Sequence, residues 1–318
     1  MQKHLIDYLD SHGSHQIRGL RLLLEYFYAV DQFEHLQRPV PQVISVFGSA
    51  RMGQHTPQYK KAYELGRLLY ENGYAVATGG SSGVMHAANR GVDQGVVLKI
   101  RQEDPSLTDE QIRKTKSYLD ELAAHSVGLM ITLPFEEEPN QYVGRSASFH
   151  YFAIRKMLFA LLSQGFVTCE GGWGTRDEMF EILTLVQTGK APLQPIIYLS
   201  DNSKVLRDDI EYACGGGFIS EMDLHLLDIT NSPEEAVTII NNFYRILSYV
   251  EYNRFWDIIL HTKEPVPDEN KAAMEQYMVD NSGVFGELLF SNNKVVVRGY
   301  TFKSFGYLRK LVEKLNGV

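Results

Sequence analysis

Phe166-Val167-Thr168-Cys169-Glu170-Gly171-Gly172-Trp173-Gly174-Thr175-Arg176-Asp177-Glu178 places a short β-branched run, a glycine loop and a helix start in immediate succession. A strand that turns on glycines into a helix is the unit from which parallel α/β sheets are built. Gly171, Gly172 and Gly174 let the backbone turn tightly and present N–H groups at the positive end of the following helix, an arrangement that binds phosphate. The Thr175 hydroxyl can add a donor. Glu178 admits two readings on this spacing. In Thr175-x-x-Glu178 it completes a capping box with Thr175 as N-cap. Equally, it is a carboxylate in the first turn beside a phosphate loop, placed to act on the sugar of a bound nucleotide.

Outward from this stretch, short β-branched runs alternate with helical ones. Strands are expected at Val43 to Phe47, Tyr74 to Thr78, Val127 to Thr132, Phe166 to Cys169, Pro195 to Leu199 and Leu224 to Ile229. Gln58 to Asn72 carries Tyr59, Ala62, Tyr63, Leu65, Leu69 and Tyr70 at helical spacing, with Gly73 as a C-terminal cap. The pattern predicts an α/β fold, a Rossmann-like doubly wound parallel sheet. Ligands then collect at the carboxyl ends of the strands, in the loops after Phe47, Thr78 and Cys169.

The flanks predict an N-terminal helical segment over 1–40, the Rossmann-like domain over 41–250 with an insertion at about 97–126, and a small α+β module over 251–318. In the first, Ile17 to Leu36 reads as a helix whose apolar face (Leu20, Leu23, Leu24, Phe27, Tyr28) covers the core, ended near Pro39 and Pro41. Within the insertion, Thr108 and Gln111 have capping-box spacing and start a helix to about Ala124. Ser232-Pro233-Glu234 starts a helix that runs through Val250. In the last module, Phe285 to Phe290 and Val295 to Tyr300 form a hairpin around Ser291-Asn292-Asn293.

Two further glycine loops close strands: Phe47-Gly48-Ser49-Ala50-Arg51 and Thr78-Gly79-Gly80-Ser81-Ser82-Gly83-Val84-Met85-His86-Ala87-Ala88. Together with the first they predict a nucleotide crevice. His86, a lone histidine on a helix, and Cys169, at a strand end, read more simply as structural than as acid-base or nucleophile. A P-loop is excluded, because Gln54 and His55 follow Gly48 to Gly53 where lysine and a hydroxyl are required. A dinucleotide fingerprint fails too, with Ala50 where a glycine is needed and no acidic residue ending the second strand.

The 318 residues are 44% hydrophobic and 22% charged, values of a folded globular chain. Formal net charge is -8, the wrong sign for polyphosphate backbone, so no nucleic-acid partner is expected. The basic cluster Arg113, Lys114 and Lys116 reads as the solvated face of a helix. Cys169 and Cys214 support no disulfide framework or zinc site. Met1 to Asp10 contain no long apolar run, so neither a secretory signal nor a membrane span is expected, and a cytoplasmic location follows.

Glu170 to Glu178 resembles the P-G-G-x-G-T-x-x-E motif of the LONELY GUY family of nucleotide phosphoribohydrolases, often labelled lysine decarboxylase-like. The resemblance spans about Val43 to Leu199 and is nearest to the longer, bacterial-type branch. It runs through Gly48-Ser49-Ala50-Arg51, Thr78-Gly79-Gly80, Gly83-Val84-Met85, Ala87-Ala88-Asn89-Arg90-Gly91, Leu133-Pro134-Phe135-Glu136 and Pro139-Asn140. Phe149-His150-Tyr151-Phe152-Ala153-Ile154-Arg155-Lys156 and Leu183 to Lys190 continue it. It implies release of a free base and ribose 5-phosphate from a nucleoside 5'-monophosphate, AMP-like or a modified purine, by a homodimer or higher homo-oligomer without metal or organic cofactor. Arg155 and Glu178 are implied as the catalytic pair. Substrate binding is expected at Gly48, Ser49, Gly80, Gly83, Met85, Lys156, Gly171, Gly172, Gly174 and Thr175.

The sequence departs from the family pattern in places. Glu170 replaces the proline before the glycines and sets a negative charge at the entrance of the phosphate loop. Ser81, Ser82 and His86 replace a glycine, a proline and a glutamate. These departures keep open a nucleotide- or cofactor-binding carrier of the same fold without turnover. A literal decarboxylase would need a lysine aldimine with pyridoxal phosphate, for which Lys156 is the one candidate.

Overall fold

Strand β1 (Val43–Phe47) is buried at every position, as are β2 (Ala75–Thr78) and β3 (Ser126–Ile131). Parallel strands covered on both faces by helices are apolar throughout, which is why these runs lack polar alternation. The computed structural model describes residues 15–33, 42–132, 138–253 and 257–318. The chain divides into two compact units, Met1–Ser163 and Gln164–Val318.

In the first unit the strand order is β4-β3-β2-β1, with β4 at Arg145–Phe149. All pairs are parallel, with Val43 opposite Ala75, Val76 opposite Ser126 and Val127 opposite Arg145. The helices are α1 (His15–Phe33), α2 (Pro57–Glu71), α3 (Val84–Glu103), α4 (Asp109–Ile112), α5 (Lys116–His125) and α6 (Phe152–Leu162). Helix α2 starts where the Thr56 hydroxyl accepts the Tyr59 N–H at 3.3 Å with proline at the next position, and it stops before Gly73 at φ +81°. Helices α2 and α3 approach through small residues: a Cβ on Gly66 would stand 2.0 Å from the Ala88 carbonyl oxygen.

The second unit holds β5 (Ser163–Cys169, but for its first residue), α7 (Trp173–Gln187), β6 (Ile196–Leu199), α8 (Lys204–Gly215), β7 (Asp228–Thr230) and α9 (Pro233–Phe243). Its parallel order is β5-β6-β7, with Phe166 opposite Ile196 and Ile197 opposite Asp228. Seven parallel strands flanked by helices make the expected α/β, Rossmann-like fold. After them come β8 (Leu247–Tyr252), β9 (Ile258–Thr262), α10 (Asp268–Asp280), β10 (Glu287–Ser291), β11 (Lys294–Arg298) and α11 (Phe305–Asn316). Those four strands form an antiparallel sheet in the order β10-β11-β9-β8.

Several expectations are corrected. In α1 the leucines face outward: Leu20, Leu23 and Phe27 are 51%, 56% and 64% exposed, so this helix does not cover the core with its apolar face. Its expected end at Leu36, and Pro39 and Pro41, lie outside the described residues, as does Leu133-Pro134-Phe135-Glu136. The Thr108 capping box is present but starts a helix of one turn, and a second cap on Thr115 restarts the chain as α5. A 3-10 helix, Glu221–Leu226, capped by Ser220 and Asp223, occupies the first half of the strand expected from Leu224, which shortens to β7. The helix from Ser232 ends at Phe243, and the apolar residues after it form β8. Arg113 is only partly solvated: its guanidinium donates to Asp93 at 2.9 and 2.8 Å, and Asp93 is 1% exposed.

Candidate active site

In the first unit two glycine loops are wedged together at the carboxyl ends of β1 and β2. Gly83 precedes α3 at φ +66°, and a Cβ there would stand 2.2 Å from the Ser49 carbonyl oxygen. The same carbonyl accepts the Val84 N–H at 3.0 Å, and a Cβ on Gly48 would overlap the Val84 side chain at 2.4 Å. Gly48, Ser49 and Gly83 are therefore brought together. Ser82, in place of the family's proline, donates its hydroxyl to the Ala50 carbonyl at 2.8 Å and so ties the same two loops.

Gly79 lies between two other expected site residues. The position of its absent Cβ is 2.8 Å from the Met85 sulfur and 3.8 Å from Nη1 of Arg155. Gly80, at φ +70°, has no room for a side chain, since Met130 Sδ would stand 2.1 Å away. Arg155 projects from α6 with its guanidinium 5.0 Å from the centre of the Phe152 ring. Lys156 follows it, half-buried.

A polar network that the sequence did not reveal holds this loop. Thr78 Oγ1 accepts from the Gly80 N–H at 2.9 Å and donates to Asn89 Oδ1 at 2.8 Å, and both side chains are fully buried. Asn140 donates through Nδ2 to the carbonyls of Gly80 and Ser81, each at 3.1 Å, and its own N–H bonds Gly80 O at 2.8 Å. The one signal available was the appearance of Asn89 and Asn140 inside the family-like stretches. His86 shares a 2.7 Å hydrogen bond with the Tyr59 hydroxyl through Nδ1 and lies edge-on to Tyr142 at 5.1 Å. Burial, and next the Arg90 charge, hold its imidazole below the usual value and therefore neutral at pH 7.

In the second unit the glycine loop before α7 bears on the capping reading of Glu178. Helix α7 starts at Trp173, with Gly172 as N-cap at φ -83°, ψ -155° and no side chain capping it. Thr175 is thus the third helical residue and not the N-cap, so the capping box is absent. Its hydroxyl instead turns back on the loop, 2.2 Å from where Gly171 would carry a Cβ. Gly172 and Gly174 have open space on their Cβ side, with nothing within 4 Å. Glu178 lies in the second turn of α7 rather than the first, and is 8% exposed. Glu170 faces β6: its carboxylate accepts the Ser200 hydroxyl at 2.6 Å and the Asn202 N–H at 3.4 Å. Cys169 is a buried strand end, 3% exposed.

Two family models match the chain, one described as "Possible lysine decarboxylase" over residues 113–240 and one as "SLOG cluster4 family" over 41–103. These matches support the LONELY GUY family for this chain. A cytokinin riboside 5'-monophosphate phosphoribohydrolase of Rhodococcoides fascians is 26% identical over 210 residues, 64% of this chain and 92% of that protein. A bifunctional cytokinin biosynthesis protein of Fusarium pseudograminearum is 25% identical over 189 residues, 54% of this chain and 34% of its own length. Among solved structures, the molybdenum cofactor binding protein of Rippkaea orientalis aligns with TM-score 0.42 and 22% identity, covering 64% of this chain and 97% of that one. Arg155 belongs to the first unit and Glu178 to the second. Among the described residues no cluster of three His, Cys, Asp or Glu could hold a metal ion, and no helix is long and apolar enough to cross a membrane.

Proposed function

We propose that this chain hydrolyses the N-glycosidic bond of a nucleoside 5'-monophosphate, AMP-like or bearing a modified purine, giving the free base and ribose 5-phosphate. The observation that carries the reading is the start of α7, where the N-cap is a bare glycine, Gly172 and Gly174 have open space on their Cβ side, and a buried carboxylate follows in the second turn. The first N–H groups of a helix have no partner within it and lie at the positive end of its dipole. At α7 they bind the phosphate monoester, and the Thr175 hydroxyl adds to them.

Glycosidic cleavage develops positive charge on the sugar. The Glu178 carboxylate stabilises that charge and takes the proton of the attacking water as its oxygen bonds C1'. The electron pair of the broken C–N bond leaves with the base, which takes up a proton from water, while Glu178 gives its proton back to water and is restored as the carboxylate. Arg155 supplies a fixed, two-pronged cation for phosphate or carboxylate. Lys156, Gly48, Ser49, Gly80, Gly83 and Met85 form the remainder of the substrate site, on residues of the 41–250 segment. The working form is a cytoplasmic homodimer or higher oligomer that uses neither metal nor organic cofactor.

Incubation of the purified full chain with a panel of nucleoside monophosphates tests this. Free base and ribose 5-phosphate in equal amounts are the expected products. A nucleotide that binds in calorimetry and is recovered intact after overnight incubation shows a carrier instead.

A further inference from the structure

Helix α1 meets its unit through polar groups. Of residues 17–32 only Arg21 and Ala29 are buried, while most of the leucines face solvent. Between those two, the Glu25 carboxylate accepts two successive backbone donors, the N–H of His150 at 2.5 Å and the N–H of Tyr151 at 3.1 Å. One turn earlier, the Arg21 guanidinium lies 5.7 Å from the centre of the Tyr151 ring. Tyr151 is thereby held by its backbone and its ring from the same helix.

Tyr151 is also the N-cap of α6, and its own side chain makes no capping bond. A carboxylate here complements the positive end of the helix, and charge-assisted bonds to two adjacent amides fix the direction in which the chain enters it. The next residue, Phe152, carries the ring beneath the Arg155 guanidinium, and Arg155 stands beside Gly79. An unbroken path of contacts thus runs from Glu25 through the entry of α6 to Arg155 and the Gly79 loop, all within the first unit.

We propose that Glu25 is a positioning residue for Arg155, so that α1 acts as a strut for the catalytic helix and not as a lid on the core. The proposal rests on the hydrolase reading of Arg155. Misplacement of a catalytic group by about 1 Å costs up to about 100-fold in rate, and loss of the two Glu25 contacts releases the entry of α6 by a displacement of that size.

The test uses full-length Glu25→Ala and Glu25→Gln. Turnover is measured on a monophosphate that the wild type cleaves, together with melting temperature and amide exchange over residues 150–157. Glu25→Ala is expected to lower kcat by about 10-fold to 100-fold with KM within about two-fold, and to speed exchange at His150 and Tyr151. Glu25→Gln keeps one acceptor oxygen and recovers part of the rate. An active wild type whose kcat is unmoved in Glu25→Ala overturns the proposal alone, as does a loss that merely follows the unfolded fraction. A wild type without turnover removes the hydrolase reading and the proposal with it.

Discussion

Glu170 accepts a 2.6 Å hydrogen bond from the Ser200 hydroxyl at the end of β6. The charge that replaces the family's proline is turned across to the neighbouring strand end, where the Asn202 N–H also reaches it. Glu170→Ala is expected to cost about 1.5–3 kcal/mol in denaturant unfolding, the size of a hydrogen bond to a charged group. The KM for the monophosphate should shift by less than about three-fold. A KM that falls steeply once the charge is gone would show that this carboxylate repels the ligand.

The glycines of these two loops, Gly83 and Gly172, should answer differently to alanine. At Gly83 a Cβ meets the Ser49 carbonyl at 2.2 Å and φ is +66°, so Gly83→Ala is expected to lower stability by more than about 1 kcal/mol. Gly172 has φ -83° and nothing within 4 Å, so alanine there leaves the melting temperature nearly unchanged. A methyl at the mouth of the phosphate loop should instead raise KM, by about 10-fold. Equal effects of both substitutions on stability, with KM untouched, would deny a ligand at Gly172.

Asp93, 1% exposed, is bound by both prongs of Arg113 and by the Tyr118 hydroxyl at 2.6 Å. These contacts clamp the segment that carries Arg113 and Tyr118 onto α3. Arg113→Ala leaves a buried carboxylate short of its cation, and a loss of about 3 kcal/mol is expected in urea unfolding. A loss below about 0.5 kcal/mol, typical of a surface position, would return Arg113 to the solvated face that its neighbours Lys114 and Lys116 suggest.

Much of this was legible in the sequence because the information was local. Val43 to Phe47 and the Ser291-Asn292-Asn293 hairpin carry their own periodicity and turn residues, and both are where expected. Elsewhere the deciding partner was remote. Strand β4 is half exposed along Arg145, Ser146 and Ser148 and lacks the apolar run by which β1 announces itself. Helix α9 ends where Lys263 donates to the Tyr244 carbonyl, with no glycine or proline nearby to mark the stop. The exposed apolar face of α1 and the capping role of Gly172 rather than Thr175 show the same limit at the site. Spacing names which residues share a face, and only packing decides which face is turned inward.

His86 provides a pH signature. Its imidazole is harder to protonate in the folded chain than in the unfolded one, through burial first and the Arg90 charge second. The unfolded chain therefore binds the proton better. Stability from this site is complete above about pH 6.5, the unfolded value, and is lost as pH falls through the depressed folded value. Unfolding curves from pH 7.5 to 5 should show a smaller acid loss in His86→Gln than in the wild type. Parallel pH profiles would mean that the imidazole is equally basic in both states.

Base release by Glu178→Gln, measured beside the wild type on the same monophosphate, bears most directly on the role of the α7 carboxylate. Glutamine keeps the size and hydrogen-bonding ends of the side chain and removes the charge and the basic oxygen. The account predicts a fall in rate on the order of 10²–10⁴ with the melting temperature nearly unchanged and the nucleotide still bound. A variant that releases base at the wild-type rate would contradict it.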